Sequence, residues 1–192
     1  MRSYIVGIAG GSAAGKSTLT RAIREVLSEL SPDLSIETIS TDAYFVRGNE
    51  GAPTFTSPTT GNLEFDCNRP NSVDANQLLL DIELARNAAP VVIVEGLMIL
   101  HTQGIRERLD LKIFVDTDAD VRALRRMLRD LKGGRMFSDP ENIARYYLES
   151  AKPGHERYVQ PSRVFADLVV SGDADLGEKA ALLANLILSK VS

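Results

Sequence analysis

Gly10-Gly11-Ser12-Ala13-Ala14-Gly15-Lys16-Ser17-Thr18 follows directly on the apolar run Tyr4-Ile5-Val6-Gly7-Ile8-Ala9. It leads into residues 16–30, where Leu19, Ile23, Val26, Leu27 and Leu30 repeat at helical spacing. The segment therefore fits G-x-x-x-x-G-K-[ST] between a strand and a helix, the context that this pattern requires. Glycines let the backbone turn so that its N–H groups point inward at phosphate oxygens. The positive end of the following helix adds to that field. Lys16 is placed to reach the β- and γ-phosphates of a nucleotide, and Ser17 to ligate Mg2+.

Outward from this loop, short apolar runs alternate with helical patterns. Residues 34–39 read as a second strand, 74–86 as a helix, and the β-branched run Val91-Val92-Ile93-Val94 as a buried strand. Residues 111–115 and 166–170 read as further strands, and 176–190 as a last helix. Thr117 offers an N-cap, with Asp120 as its capping-box partner. In the helix that follows, Val121, Leu124, Leu128 and Leu131 form the predicted core stripe. Residues 140–159 read as helix, which Pro153 should end or kink. Residues 45–73 are rich in glycine, proline and polar side chains and read as a long loop. Such alternation predicts an α/β fold in three layers, with about five parallel strands at its centre. Ligands then bind at the carboxyl ends of the strands.

The bulk numbers suit one domain spanning residues 1–192. The net charge of −4 argues against a nucleic-acid binder held by bulk electrostatics. The single cysteine, Cys67, rules out an internal disulfide or a cysteine-rich metal site, and it reads as a loop thiol. The first apolar run is too short for a signal peptide, and no stretch approaches a membrane span, so a cytoplasmic protein is expected.

Over most of its length the chain resembles the uridine kinase and phosphoribulokinase-like family of P-loop kinases. The likeness rests on the loop at 10–18, Thr41-Asp42-Ala43-Tyr44-Phe45, residues 91–97 (VVIVEGL), residues 112–130 (KIFVDTDADVRALRRMLRD) and residues 158–170 (YVQPSRVFADLVV). It implies a P-loop NTPase fold with a helical lid at about 125–146, and it implies ATP and Mg2+ as cofactors. The implied reaction moves the γ-phosphate to a hydroxyl of a small acceptor. Neither nucleic acid nor membrane is an expected partner, and self-association is left open.

By this resemblance Asp42 is the catalytic carboxylate that takes the acceptor's proton. In phosphoryl transfer, positioning of the nucleophile matters more than its early deprotonation. Glu95 ends a buried strand, where an ionised carboxylate is costly unless paired or metal-bound. The family places a metal-side carboxylate there. Arg122, Arg125, Arg126 and Arg129 share one helical face. Arg122 and Arg125 read as solvated. Arg126 and Arg129 match lid arginines that close over the phosphates and stabilise developing charge. Arg135, after Gly133-Gly134, joins them, although its spacing from Arg129 is one residue shorter than the family's. A closed lid would also exclude water.

Phe65-Asp66 resembles the segment that contacts ribose hydroxyls, and alignment on Pro70 would put Asn68 there instead. His101 follows a strand end and is a candidate for the acceptor side. Asp118 and Asp120 read as structural. Residues 171–173 resemble the loop that packs on adenine, and His155 has no assigned role.

The likeness breaks at one place. Uridine kinases carry a hairpin, before the strand ending in the metal carboxylate, that recognises the pyrimidine. Here only residues 82–90 separate those elements. The first expectation is thus a kinase for a primary hydroxyl of a nucleoside or similar ribosyl compound. An alternative acceptor is nicotinamide riboside, a sugar or a sugar acid. A nucleotide-dependent switch is a third reading. A switch has no need of an acceptor-side carboxylate, so Asp42 argues against it.

Overall fold

The structure, a computed structural model, describes residues 3–133, 137–173 and 175–191. Strand β1 (Tyr4–Gly10) lies at the centre of a five-stranded parallel sheet, with β2 (Ile36–Ser40), β5 (Val91–Gly96), β6 (Leu111–Asp116) and β7 (Leu168–Ser171) in the order β2-β5-β1-β6-β7. Parallel strands buried on both faces need continuous apolar sequence, and β5 is buried throughout. Val6 and Ile8 of β1 pack towards helices α1 (Lys16–Leu30) and α6 (Leu176–Val191). Ile5 and Ala9 pack on the other side, towards α2 (Ala75–Ala88). The expected three layers result, with a short helix α3 (Gln103–Arg106) between β5 and β6. The chain leaves β1 towards β2 on one side and later adds β6 on the other, which makes the carboxyl end of β1 a topological switch point.

The predicted long loop contains a short antiparallel hairpin, β3 (Thr54–Thr56) with β4 (Leu63–Phe65). Buried Arg145, in α5 (Pro140–Tyr146), clamps this hairpin from outside the sheet. Its guanidinium pairs with Glu64 at 2.8 Å and Glu149 at 3.0 Å, and donates to Ser57. The Arg145–Glu64 pair joins residues far apart in sequence, so the local pattern of residues 45–73 concealed the order it imposes.

Three expectations need correction. In α4 (Ala119–Leu131) the apolar stripe does not face the core: Leu124 is 64% exposed and Leu128 61%. The arginine side is turned inward instead, with Arg122, Arg126 and Asp130 buried. The Thr117 carbonyl accepts from Arg122, and Asp130 lies 3.4 Å from Arg126, which lowers the cost of burying these charges. Thr117 does not cap α4, since Asp118 holds that position. Its hydroxyl donates to the carbonyl of Ala14 at 2.9 Å. Pro153 does not end its helix. After α5 the chain continues through wide π turns at Tyr147–Ala151 and His155–Val159, with Pro153 in the short α segment between them. Widened turns already depart from the i→i−4 pattern that a proline would break.

Candidate active site

The loop between β1 and α1 carries the backbone that the sequence implied. Gly10 (φ 145°) and Gly15 (φ 103°) take left-handed angles, and Ala13 joins them at φ 62°, a conformation that costs a non-glycine residue energy. Among the described residues no side chain caps the start of α1, as suits a helix end that faces an anion. Lys16 lies along the loop, its ammonium donating to the carbonyls of Gly11 at 2.8 Å and Gly10 at 3.1 Å. Ser17, one residue on, donates to both carboxylate oxygens of Glu95, at 2.8 and 2.9 Å. Glu95 is buried at the end of β5, so the contact joins the first turn of α1 to the neighbouring strand. A serine hydroxyl beside a carboxylate is a hard-oxygen donor pair. It fits Mg2+, which is commonly held by one or two protein oxygens together with phosphate oxygens and water.

Strand register brings the second carboxylate to the same end of the sheet. Ser40 pairs with Glu95, and Thr41–Tyr44 then turns in a single 3-10 turn. The Tyr44 hydroxyl donates to Asp81 of α2 at 2.6 Å, which ties the turn down. Asp42, within this turn, lines a cavity of about 1010 Å³ shared with Ser12, Lys16, Ser17, Glu95, Arg126 and Arg129. The volume lies at the upper end of the range of ligand pockets. The turn is held by a close approach: a Cβ on Gly96 would lie 2.2 Å from Thr41 Oγ1 and 2.9 Å from its Cβ. Gly96→Ala is therefore expected to destabilise the fold by about 1–3 kcal/mol and to reduce turnover by displacing Asp42. Chemical denaturation read beside activity checks this. An unchanged midpoint with full turnover would show that Thr41 yields freely.

Helix α4 supplies the opposite wall. Arg126 reaches Ser12 of the loop (Nη1 to Oγ, 3.5 Å), pairs with Asp130 at 3.4 Å and lies 5.3 Å from the Tyr146 ring centroid. Arg129 donates to Asp130 at 2.7 Å. Of the two neighbouring arginines expected to be solvated, Arg125 is exposed and Arg122 is not. Arg125 lines the cavity and donates to the Gly172 carbonyl at 3.0 Å. Arg122 is 5% exposed and donates to the Thr117 carbonyl at 3.0 Å. The loop after β7, in which Gly172 lines the cavity, meets the phosphate loop closely, since a Cβ on Gly172 would lie 2.2 Å from the Ala14 carbonyl. Arg135 lies outside the described residues.

The acceptor-side candidates separate. Asn68 lines the cavity and Asp66 does not. Asp66 is buried behind it, accepting from the Asn68 backbone N–H at 3.1 Å, from Ser150 at 2.8 Å and from Arg69 at 2.9 Å. Phe65 stands outside the lining too, edge-on to Phe45 at 6.0 Å, and Phe45 is the ring that faces the cavity. His101 packs against Tyr158 at 5.4 Å and does not line the cavity. Cys67 does line it. Burial pushes its thiol above the usual range, which keeps it uncharged. Arg47 lines this wall as well, its guanidinium 5.4 Å from the Phe65 ring centroid. No periodicity marked Arg47 or Cys67, because both sit in irregular chain.

A glycine-rich loop between strand and helix, a serine–carboxylate pair and arginines beside the loop, with a second carboxylate on the same cavity, form an arrangement suited to phosphoryl transfer. Comparison with known proteins agrees. The profile described as the phosphoribulokinase / uridine kinase family matches residues 79–175. The uridine kinase of Chlamydia pneumoniae is 34% identical over 90% of this chain and 83% of its own length. That of Staphylococcus epidermidis is 32% identical, over 88% and 87% respectively. A shikimate kinase structure from Acinetobacter baumannii, in complex with shikimate, shares the fold with a TM-score of 0.55 at 16% identity, covering 98% of this chain and 94% of its own. The chain belongs to the phosphoribulokinase / uridine kinase family, and it is an ATP-dependent small-molecule kinase. Membership implies the use of ATP and Mg2+. Among the described residues no helix is long and apolar enough to cross a membrane.

Proposed function

We propose that this kinase transfers the γ-phosphate of ATP to a primary hydroxyl of a nucleoside or a similar ribosyl compound. The observation that carries the reading is the placement of Asp42 and Asn68 on the same cavity as Lys16, Ser17 and Arg126. The names of the matched relatives, uridine kinases, support the same acceptor class.

In this reading the loop at 10–18 holds the phosphates through its N–H groups, with Lys16 on the β- and γ-phosphates. Ser17 and Glu95 would hold Mg2+, which would supply neutralising charge beside the phosphates. Asp42 accepts a hydrogen bond from the acceptor hydroxyl, aims its oxygen at phosphorus and takes the proton as the bond forms. Arg126 and Arg129 stabilise charge on the transferring group. Asn68 hydrogen-bonds the acceptor's diol, with Asp66 fixing the backbone beneath it. Residues 125–146 act as the lid of a single domain, and Arg135 joins Arg126 and Arg129 on the phosphates.

A second acceptor class has an observation in its favour. Helix α2 ends at Ala88 and β5 begins at Val91, so nothing inserted there covers the acceptor end. A site without such polar partners discriminates weakly among bases. The test is a panel of uridine, cytidine, nicotinamide riboside, sugars and sugar acids, assayed for ADP release with Mg-ATP. Ribosides are expected to turn over, with little preference for the pyrimidine. Turnover confined to sugars or sugar acids would overturn the nucleoside reading. Acceptor-independent hydrolysis alone would point to a switch.

A further inference from the structure

Behind the phosphate loop, away from the cavity, Gly11 is pressed against two buried side chains. A Cβ there would lie 2.8 Å from Arg122 Nη1, 2.9 Å from Arg122 Cδ and 3.0 Å from His155 Nδ1. Gly11 is not among the positive-φ glycines, so packing, not backbone conformation, demands glycine at this position. Arg122 is anchored on the Thr117 carbonyl, and Thr117 in turn donates to Ala14 of the same loop. His155 is 9% exposed and its Nε2 meets Gln160 Oε1 at 3.0 Å. As assigned, that amide oxygen requires Nε2–H, leaving Nδ1 a bare acceptor. Nδ1 is buried with no hydrogen-bond partner among the described residues. Burial first, then the charge of Arg122, pushes the imidazole down to about 4. The charged groups facing it are Arg122, Lys16 and Asp116. A neutral ring adds no third cation beside Arg122 and Lys16.

We propose that Arg122 and His155 are positioning residues: together they form a wall behind Gly11 that fixes the phosphate loop and sets α4, with its cavity-facing arginines, at a constant distance from it. Neither lines the cavity, so neither touches substrate. The proposal rests on residues 10–18 being the phosphate cradle. Loss of the wall acts on the nucleotide before the acceptor, because the Arg122 and His155 side chains meet Gly11 directly, whereas Asp42 sits in the turn after β2 and Asn68 is tied to Ser150 and Gly154, not to the His155 side chain.

The test compares His155→Leu, His155→Asn, Arg122→Met and Gly11→Ala with the parent protein, measuring KM for ATP, KM for the best acceptor and the thermal midpoint. His155→Leu, Arg122→Met and Gly11→Ala are expected to raise KM for ATP roughly 10- to 100-fold, since small misplacements of a positioned loop are costly, with the acceptor KM unchanged. His155→Asn, whose amide oxygen can stand near the place of Nδ1, is expected to recover most of the loss. The combination of His155→Leu with Arg122→Met should cost less than the product of the two single effects. Lowered thermal midpoints with an unchanged KM for ATP in the folded variants would overturn the proposal, as would equal rises in both KM values. If His155→Leu does not fold, Arg122→Met and Gly11→Ala decide the outcome by the same criteria. Lys16→Ala separates the two failures. If it still binds nucleotide normally, the cradle assignment itself is wrong. If it loses binding while the wall variants keep it, only the wall is wrong.

Discussion

Asp42→Asn is expected to lower acceptor-dependent turnover by about 10²–10⁴-fold, the usual worth of a positioned general base, while nucleotide binding persists. The side chain sits two residues beyond Ser40, whose strand partner is Glu95. That register brings Asp42 to the sheet end that also bears Lys16, Ser17 and Glu95, on one cavity with them. Asparagine keeps the shape and one carbonyl oxygen, so the acceptor can still bind. It loses the charge that orients the hydroxyl proton and the site that receives it. Steady-state ADP release with the best acceptor, beside calorimetric titration of ATP, measures both quantities. Undiminished acceptor-dependent turnover would remove Asp42 from the reaction. Hydrolysis that needs no acceptor and ignores the substitution would favour the switch.

For Arg126→Ala the expected loss is about 10²–10³-fold in kcat, comparable to deleting one donor to a developing anion. The guanidinium is buried between Ser12 of the loop, Asp130 and the ring of Tyr146. Its Nε has no hydrogen-bond partner among the described residues. Its pairing with Asp130 is loose, at 3.4 Å, so the guanidinium would have donors to offer a phosphate on the loop beside it. The fold should survive the truncation, because Asp130 keeps its 2.7 Å bond from Arg129. Arg126→Lys should recover little, since an ammonium lacks the planar fork that spans two oxygens. A rise in KM for ATP with kcat intact would mean uniform binding instead of transition-state stabilisation and would sink this role.

Local chemistry made much of the scaffold legible. The β-branched run at 91–94 could only be a buried strand, and glycine-rich chain between β1 and α1 could only turn tightly. Helix α1 begins and ends where its periodicity does. Orientation was less accessible. The pattern of α4 says that it has an apolar face and a basic face, and the ordinary rule puts the apolar one inside. The structure inverts this because α4 lies over the phosphate loop, where carbonyls and Asp130 reward buried guanidiniums. The same limit applied to His155, whose role depends on Gly11, far away in sequence and adjacent in space.

Order along the chain thus sufficed for the strand–helix alternation, the phosphate loop and the family, because each is written in contiguous residues whose spacing obeys backbone geometry. Packing alone chose Asn68 over Asp66 for the cavity wall, turned the arginines of α4 inward, and moved Thr117 from a helix cap to a brace on Ala14. These are contacts across many tens of residues. They are set by which polar groups find partners when water is excluded, and no local pattern records that outcome.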